Sequence, residues 1–330
     1  MAATITTSSP PAAPRTDASV AHGRTVMLGL ATCAVLAVAG WFAPKWLTFL
    51  VTMAAANGLA ALGIVGLMRG GVVPFGQGMM LAAGGYTTAL VFNQLGFTDA
   101  LGLALAGGLM AALIAAPFAP LLARYRGIFF AMLTLALSMV TYGLLMKLDM
   151  LGGSDGFNMG RPTLLGQTLP DARVGYILYL LAIVLATVMS LLARIYFDST
   201  RGLVTVAVRE NELRVEYLGG SVRQAMTINF ILAAFAGGCG GALVVLSLGH
   251  IDPNFSYWTT SGEFVFVAIL AGSQSVLAVF VASTVLEVVR SLSSAYFPNT
   301  WQLALGLFLL LVIRFLPGGI GSLWIKRSKK

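Results

Sequence analysis

The 330 residues are 58% hydrophobic and only 10% charged, with a mean hydropathy of +0.88 and a net charge of +8. An ordinary soluble domain carries roughly 25% charged residues, so a soluble enzyme or binding domain is excluded and a polytopic integral membrane protein is implied. The basic residues are scattered between apolar stretches rather than clustered on one soluble face, which argues against nucleic acid as a partner and for the lipid bilayer.

Residues 1–23, rich in Ala, Thr, Ser and Pro, read as a disordered tail without periodicity. A membrane domain is expected over 24–325, with a short basic tail at 326–330. Apolar spans follow at 25–43, 46–68, 79–95, 101–122, 127–148, 174–197, 224–249, 262–272, 276–295 and 301–316. Several approach or exceed the about 20 residues that a transmembrane helix needs. Arg24 and Ala37-Val38-Ala39 imitate a signal peptide with its cleavage site, but the tail ahead of Arg24 is long for one, so the first span is read as a retained helix. The 38 glycines suit closely packed membrane helices. Cys33 and Cys239 lie in apolar runs and read as small hydrophobes, and His22 and His250 are too few to suggest a metal site.

With ten spans and a cytoplasmic amino terminus, Lys45, Lys147, Arg161, Arg173 and Arg290 fall on the outer side and the remaining fifteen of the twenty Lys and Arg residues on the inner one. The positive-inside bias therefore predicts that both termini are cytoplasmic. The expected fold is an all-α polytopic transmembrane bundle of about ten helices, some interrupted. Span 262–272 is short for a crossing at 1.5 Å per residue and stops at Gly272-Ser273-Gln274-Ser275. The segment 70–78, Gly-Gly-Val-Val-Pro-Phe-Gly-Gln-Gly, is a second interruption. Irregular backbone at membrane depth is tolerated where protein buries it or a watery cavity hydrates it, and two interrupted spans point to a transport pathway. The stretch 149–173, with its turn-rich Gly152-Gly153-Ser154-Asp155-Gly156, reads as an ordered external loop.

One segment, 198–223, cannot lie in hydrocarbon, since it holds Asp198, Arg201, Arg209, Glu210, Glu212, Arg214, Glu216 and Arg223. It reads as one or two short helices on the inner side. Ser199 or Thr200 caps the start, Glu210 and Arg214 stand four apart on one face, and Gly219-Gly220 supplies the stop. Leu203, Val206, Leu213 and Tyr217 form an apolar stripe. A plain interfacial linker is the alternative, but the length and mixed charge favour a docking element over a lipid-binding helix, which would be richer in Lys and Arg.

Among polar residues at membrane depth, Glu287 and Arg290 are three apart and expected to pair, and Glu263 is expected near a helix amino terminus. Asn57, Gln77 and Gln274 are candidates either for solute contact or for helix-to-helix hydrogen bonds. With Phe75 and Glu263 they form the candidate substrate pathway. His250 and Asp252 fall in an outer loop, solvated or touching a binding protein.

Five strings in order resemble the LivM-type permeases of the branched-chain amino-acid ABC transporter family. They are Phe75-Gly76-Gln77 after the paired glycines, Arg126-Gly127-Ile128-Phe129-Phe130-Ala131-Met132-Leu133-Thr134-Leu135, Gly152 to Gly156, Val208-Arg209-Glu210-Asn211-Glu212 with Glu216-Tyr217-Leu218-Gly219, and Glu263. The resemblance implies a homologous second permease subunit, two cytosolic ATPase subunits and a periplasmic solute-binding protein, in a bacterial inner membrane. It implies that 198–223 docks on an ATPase, with Arg209, Glu210, Asn211 and Glu212 as polar contacts and Leu213 and Tyr217 as anchors. ATP and Mg would be handled by the partner subunits, with no cofactor in this chain; the sequence has no Gly-x-x-x-x-Gly-Lys-Ser/Thr phosphate loop. The chain departs from the family at Pro74 and in Ala271-Gly272-Ser273-Gln274-Ser275, where the family shows Gly-Gly-x-Gly-Ser/Thr, both at the helix breaks, so the transport class carries over and the solute, a branched-chain amino acid or a related amino acid or amide, stays open. An autonomous secondary transporter or channel is the rival reading; a membrane enzyme lacks any nucleophile-base or metal constellation.

Overall fold

In hydrocarbon each backbone polar group must be satisfied within the protein, and a helix does this inside one segment. The computed structural model describes residues 17–164, 166–168, 173–273, 275–296, 298, 300–316 and 318–322. Each of the ten apolar stretches lies on helix: α1 (Asp17–Phe42), α2 (Lys45–Arg69), α3 (Gln77–Leu95), α4 (Ala100–Ala115), α5 (Ala119–Leu122), α6 (Gly127–Lys147), α7 (Val174–Asp198), α8 (Thr200–Glu210), α9 (Glu212–Tyr217), α10 (Val222–Leu248), α11 (Trp258–Ala271), α12 (Val276–Tyr296) and α13 (Trp301–Phe315). The helices α2, α6, α7, α10 and α12 are each long and apolar enough to cross a membrane. Helix α1 begins at Asp17, inside the stretch expected as a disordered tail. Residues 1–16, the basic tail 326–330 and Gln274 lie outside the described residues. The span expected at 101–122 divides into α4 and α5, because Pro117 and Pro120 remove amide donors where the helix would continue.

The central helix is α10, packed mainly against α2, α3 and α4. Its run Gly237-Gly238-Cys239-Gly240-Gly241 lets backbones meet. A Cβ on Gly238 would lie 2.5 Å from Ala111 Cβ, one on Gly240 would lie 2.5 Å from the Ala56 carbonyl oxygen, and one on Gly241 would overlap the Leu81 carbonyl. Close approach of small residues is the main source of helix association in lipid, where no hydrophobic drive exists between helices. Helix α6 fully buries only Phe130, Thr134, Ser138 and Leu145, at helical spacing, and leaves the rest of its surface half-buried or exposed.

At the end of the bundle away from residues 198–223, the loop after α6 is ordered. Two short 3-10 turns, Asp149–Leu151 and Gly153–Asp155, lead into β1 (Phe157–Asn158), followed by the hairpin of β2 (Thr163–Leu164) and β3 (Gln167–Thr168). Strand β1 pairs antiparallel with β4 (His250–Ile251), Phe157 opposite Ile251. His250 Nδ1 lies 2.8 Å from Asn158 Oδ1, and Asp252 Oδ1 accepts from the Asn254 N–H at 2.7 Å. These two side chains therefore organise the external cap.

Candidate functional site

The charged segment is built by three successive side-chain caps. Ser199 Oγ accepts from the Gly202 N–H at 3.3 Å and starts α8, Asn211 Oδ1 accepts from the Arg214 N–H at 2.9 Å and starts α9, and Ser221 Oγ accepts from the Gln224 N–H at 3.2 Å and starts α10. Helix α9 ends on left-handed Gly219 (φ 83°), with the Gly219 N–H bonded to the Glu216 carbonyl and the Gly220 N–H to the Val215 carbonyl. That is the paired bonding of a Schellman stop.

Extended backbone at Asn211 (φ −160°) separates α8 from α9, so Glu210 and Arg214 do not share a helix face as the spacing suggested. Of the apolar stripe, Leu203, Leu213 and Tyr217 point outward, at 59%, 65% and 87% exposure, with Leu218 beside them at 83%, while Val206 is half-buried. The inward positions are Thr205, Val208 and Val215, which stand at helical spacing on the face opposite Leu203, Leu213 and Tyr217. Asn229 Nδ2 on α10 donates to Thr205 Oγ1 at 2.8 Å. Val208 and Val215 join a buried cluster with Val72, Phe130, Val222 and Met226. Arg209, Glu210 and Asn211 are exposed. Glu212 is tied back by an ion pair with Arg126, whose guanidinium also donates to the Ala123 and Tyr125 carbonyls. The outcome is an apolar and charged outer face on a short helix pair held rigidly from behind.

The two helix breaks lie against protein. After α2, left-handed Gly71 (φ 81°) sits against Arg209, and a Cβ on Gly70 would press on Met226 and Thr205, so the first break rests directly on the back of α8. The second break, at Gly272 (φ 75°), is covered by residues 318–322, where the Ile320 N–H donates to the Leu270 carbonyl at 2.8 Å. That contact satisfies a carbonyl at the end of α11 within the protein.

The pathway candidates separate into different surroundings. Gln77 is 2% exposed and its Nε2 donates to the Ala233 carbonyl at 2.8 Å, a helix-to-helix bond. The Phe75 N–H donates to Thr134 Oγ1 at 3.0 Å. Asn57 and Glu263 instead meet in one polar cluster between α2, α11 and α12. Arg290 Nη1 donates to Glu263 Oε2 at 3.0 Å, and Asn57 Nδ2 donates to Glu287 Oε2 at 3.2 Å. Arg290 thus bonds across to α11 rather than to Glu287 on its own helix, while interacting electrostatically with both carboxylates. Glu263 is not a helix-start residue, because α11 begins at Trp258. Arg290 also lies over the Trp301 ring at 5.3 Å. Two carboxyl groups, one guanidinium and one amide are thus gathered from three helices. Among the described residues no group of three or more His, Cys, Asp or Glu side chains is placed to hold a metal ion.

A family model described as "Branched-chain amino acid transport system / permease component" matches residues 46–314. The chain belongs to this permease family. The permease is 29% identical over 284 residues to the high-affinity branched-chain amino acid transport system permease protein LivM of Escherichia coli (strain K12), and 28% identical to LivM of Salmonella typhimurium. Each match covers 78% of this chain and 65% of the relative, so the chain spans about two thirds of the length of those proteins. No solved structure matches it.

Strings that lie far apart in the permease sequence touch in space. A Cβ on Gly76 would lie 2.7 Å from the Thr134 carbonyl oxygen, Phe75 bonds Thr134, and Arg126 bonds Glu212. Three of the family-like strings therefore form one continuous contact from the α2–α3 break through the start of α6 to α9. The external Gly152 to Gly156 string has its own reason: a Cβ on Gly156 would overlap the Ile251 carbonyl, and Gly152, Gly153 and Gly156 all adopt positive φ. The permease is a multi-pass membrane protein by its family and its apolar helices.

Proposed function

We propose that this chain is a transmembrane subunit of an ABC importer in a bacterial inner membrane, carrying a small polar solute such as a branched-chain amino acid or a related amino acid or amide. It works with a homologous second permease subunit, two cytosolic ATPases that hydrolyse ATP with Mg, and a periplasmic solute-binding protein. Both termini face the cytoplasm. The chain itself has no ATP site and is not an enzyme.

The observation that carries the reading is the outer face of α8 and α9. Exposed apolar side chains, here Leu213, Tyr217 and Leu218, bordered by Arg209 and Glu210, are unusual beside a tightly anchored inner face. Aromatic anchors ringed by charge are the makeup of a protein-docking hot spot. Motion imposed on α8 by an ATPase has a direct route into the bundle, because Arg209 packs on Gly71 and Thr205 is bonded to α10. The cluster of Asn57, Glu263, Glu287 and Arg290 is where candidate pathway residues come together across helices.

The test is co-purification of the ATPase subunits with the permease carrying Glu210→Lys and Tyr217→Ala together. The reading expects the ATPases to be lost while the two permease subunits stay associated and folded. An intact complex with normal uptake overturns it.

A further inference from the structure

Two helix starts meet at the end of the bundle opposite α8 and α9. Helix α2 begins at Lys45 after Pro44, and α7 begins at Val174 after Arg173; neither has a side-chain cap or an acidic residue in its first turn. A helix start leaves amide donors without intrahelical partners and carries roughly half a positive charge. Both starts border one cavity of about 330 Å³, lined also by Trp41, Thr52, Tyr176 and Ser247. Lys45 and Arg173 have no acidic partner among the described residues. The Arg173 guanidinium lies over the Trp41 ring at 5.8 Å. Ser247 Oγ is buried without a hydrogen-bond partner.

The walls are fixed in advance. Tyr176 donates to the Ala37 carbonyl at 3.0 Å and Tyr179 to the Leu36 carbonyl at 2.7 Å, while Gly40 gives the Tyr179 ring room against α1. Two side-chain cations and two helix starts converge here, and among the described residues no carboxylate lines the cavity, so it suits an anion. Its surroundings decide the source. Phe42 at the end of α1 and Trp46 and Phe49 on α2 are 82%, 66% and 46% exposed, and Trp and Tyr beside a basic residue mark the membrane interface.

We propose that this cavity binds the phosphate of an anionic phospholipid, with the acyl chains lying along the exposed apolar face of α1 and the start of α2. Basic pockets between transmembrane helices take lipid headgroups by this combination of charge and enclosure. The inference stands apart from the transport reading, since it needs neither the ATPases nor a known solute.

Native mass spectrometry of the purified permease, titrated with phosphatidylglycerol or phosphatidylcholine, tests it. Wild type should retain phosphatidylglycerol over phosphatidylcholine, and Lys45→Gln with Arg173→Gln should lower that retention roughly tenfold. Gly175→Leu supplies a variant without charge change. Gly175 lines the cavity and a Cβ there meets nothing within 4 Å, so the added side chain enters open space in a folded protein. It should lower phosphatidylglycerol retention as well. Retention that is unchanged in Gly175→Leu overturns the proposal, as does an equal loss in the control Lys147→Gln. Displacement of the lipid by inorganic phosphate at matching concentration also overturns it, by showing a site for a free anion.

Discussion

Tyr217 and Val215 sit two residues apart on α9, and the account assigns them opposite duties. Tyr217 is 87% exposed and Val215 is 7% exposed in the cluster with Val208 and Val222. Tyr217→Ala removes a side chain that contributes little to the bundle, so stability should move by no more than about 0.5 kcal/mol. At a docking surface the same truncation removes an aromatic anchor worth about 2 kcal/mol, or roughly 30-fold in the ATPase dissociation constant. Val215→Ala deletes two buried methyl groups, which costs about 1–2 kcal/mol of stability from lost burial and the space left behind. Thermal unfolding of the two variants in detergent gives the stability term, and binding of the ATPase subunit to nanodisc-embedded permease gives the affinity term. A Tyr217→Ala variant that melts as early as Val215→Ala, or that binds the ATPase like wild type, refutes the assignment of outer and inner faces.

The polar cluster makes a second prediction. Arg290→Gln should destabilise the bundle by roughly 1–3 kcal/mol, below the full cost of breaking a buried pair because the Arg290 side chain is 43% exposed. Adding Glu263→Gln should recover part of that loss in a melting experiment; strictly additive losses would mean the two residues do not interact. At the helix crossing, Gly241→Val should abolish recovery of monodisperse protein, since its Cβ meets the Leu81 backbone, whereas Gly262→Ala should be neutral because nothing lies within 4 Å. Equal behaviour of the two glycine variants in size-exclusion chromatography would contradict the packing described around α10.

Much of the fold was legible because hydrophobic runs of membrane length have few alternatives to helix. The helix breaks at Gly71 and Gly272 were legible for a related reason, since positive φ there leaves little choice but glycine. What spacing could not reveal was partnership across the bundle. Glu287 and Arg290 are a natural local pair at three residues, yet Arg290 reaches Glu263 and Glu287 reaches Asn57, contacts that exist only once α2, α11 and α12 are packed. The inner face of the charged segment was missed because its helically spaced positions, Thr205, Val208 and Val215, are small, whereas the larger apolar side chains Leu203, Leu213 and Tyr217 stand on the outward face. The division of the segment into α8 and α9 had its own signal in Asn211, a strong helix-start residue. The contact of Arg126 with Glu212 had no signal in spacing at all.

The central claim is that the bundle is driven from outside through α8 and α9. Solute uptake into proteoliposomes, measured for this chain alone and for the complex with its second permease subunit, ATPases and binding protein, tests it most directly. The account predicts uptake by the complex that requires ATP, lost when Glu210→Lys and Tyr217→Ala are introduced, and none by the chain alone. Solute flux through the chain alone, without ATP or partners, would contradict it.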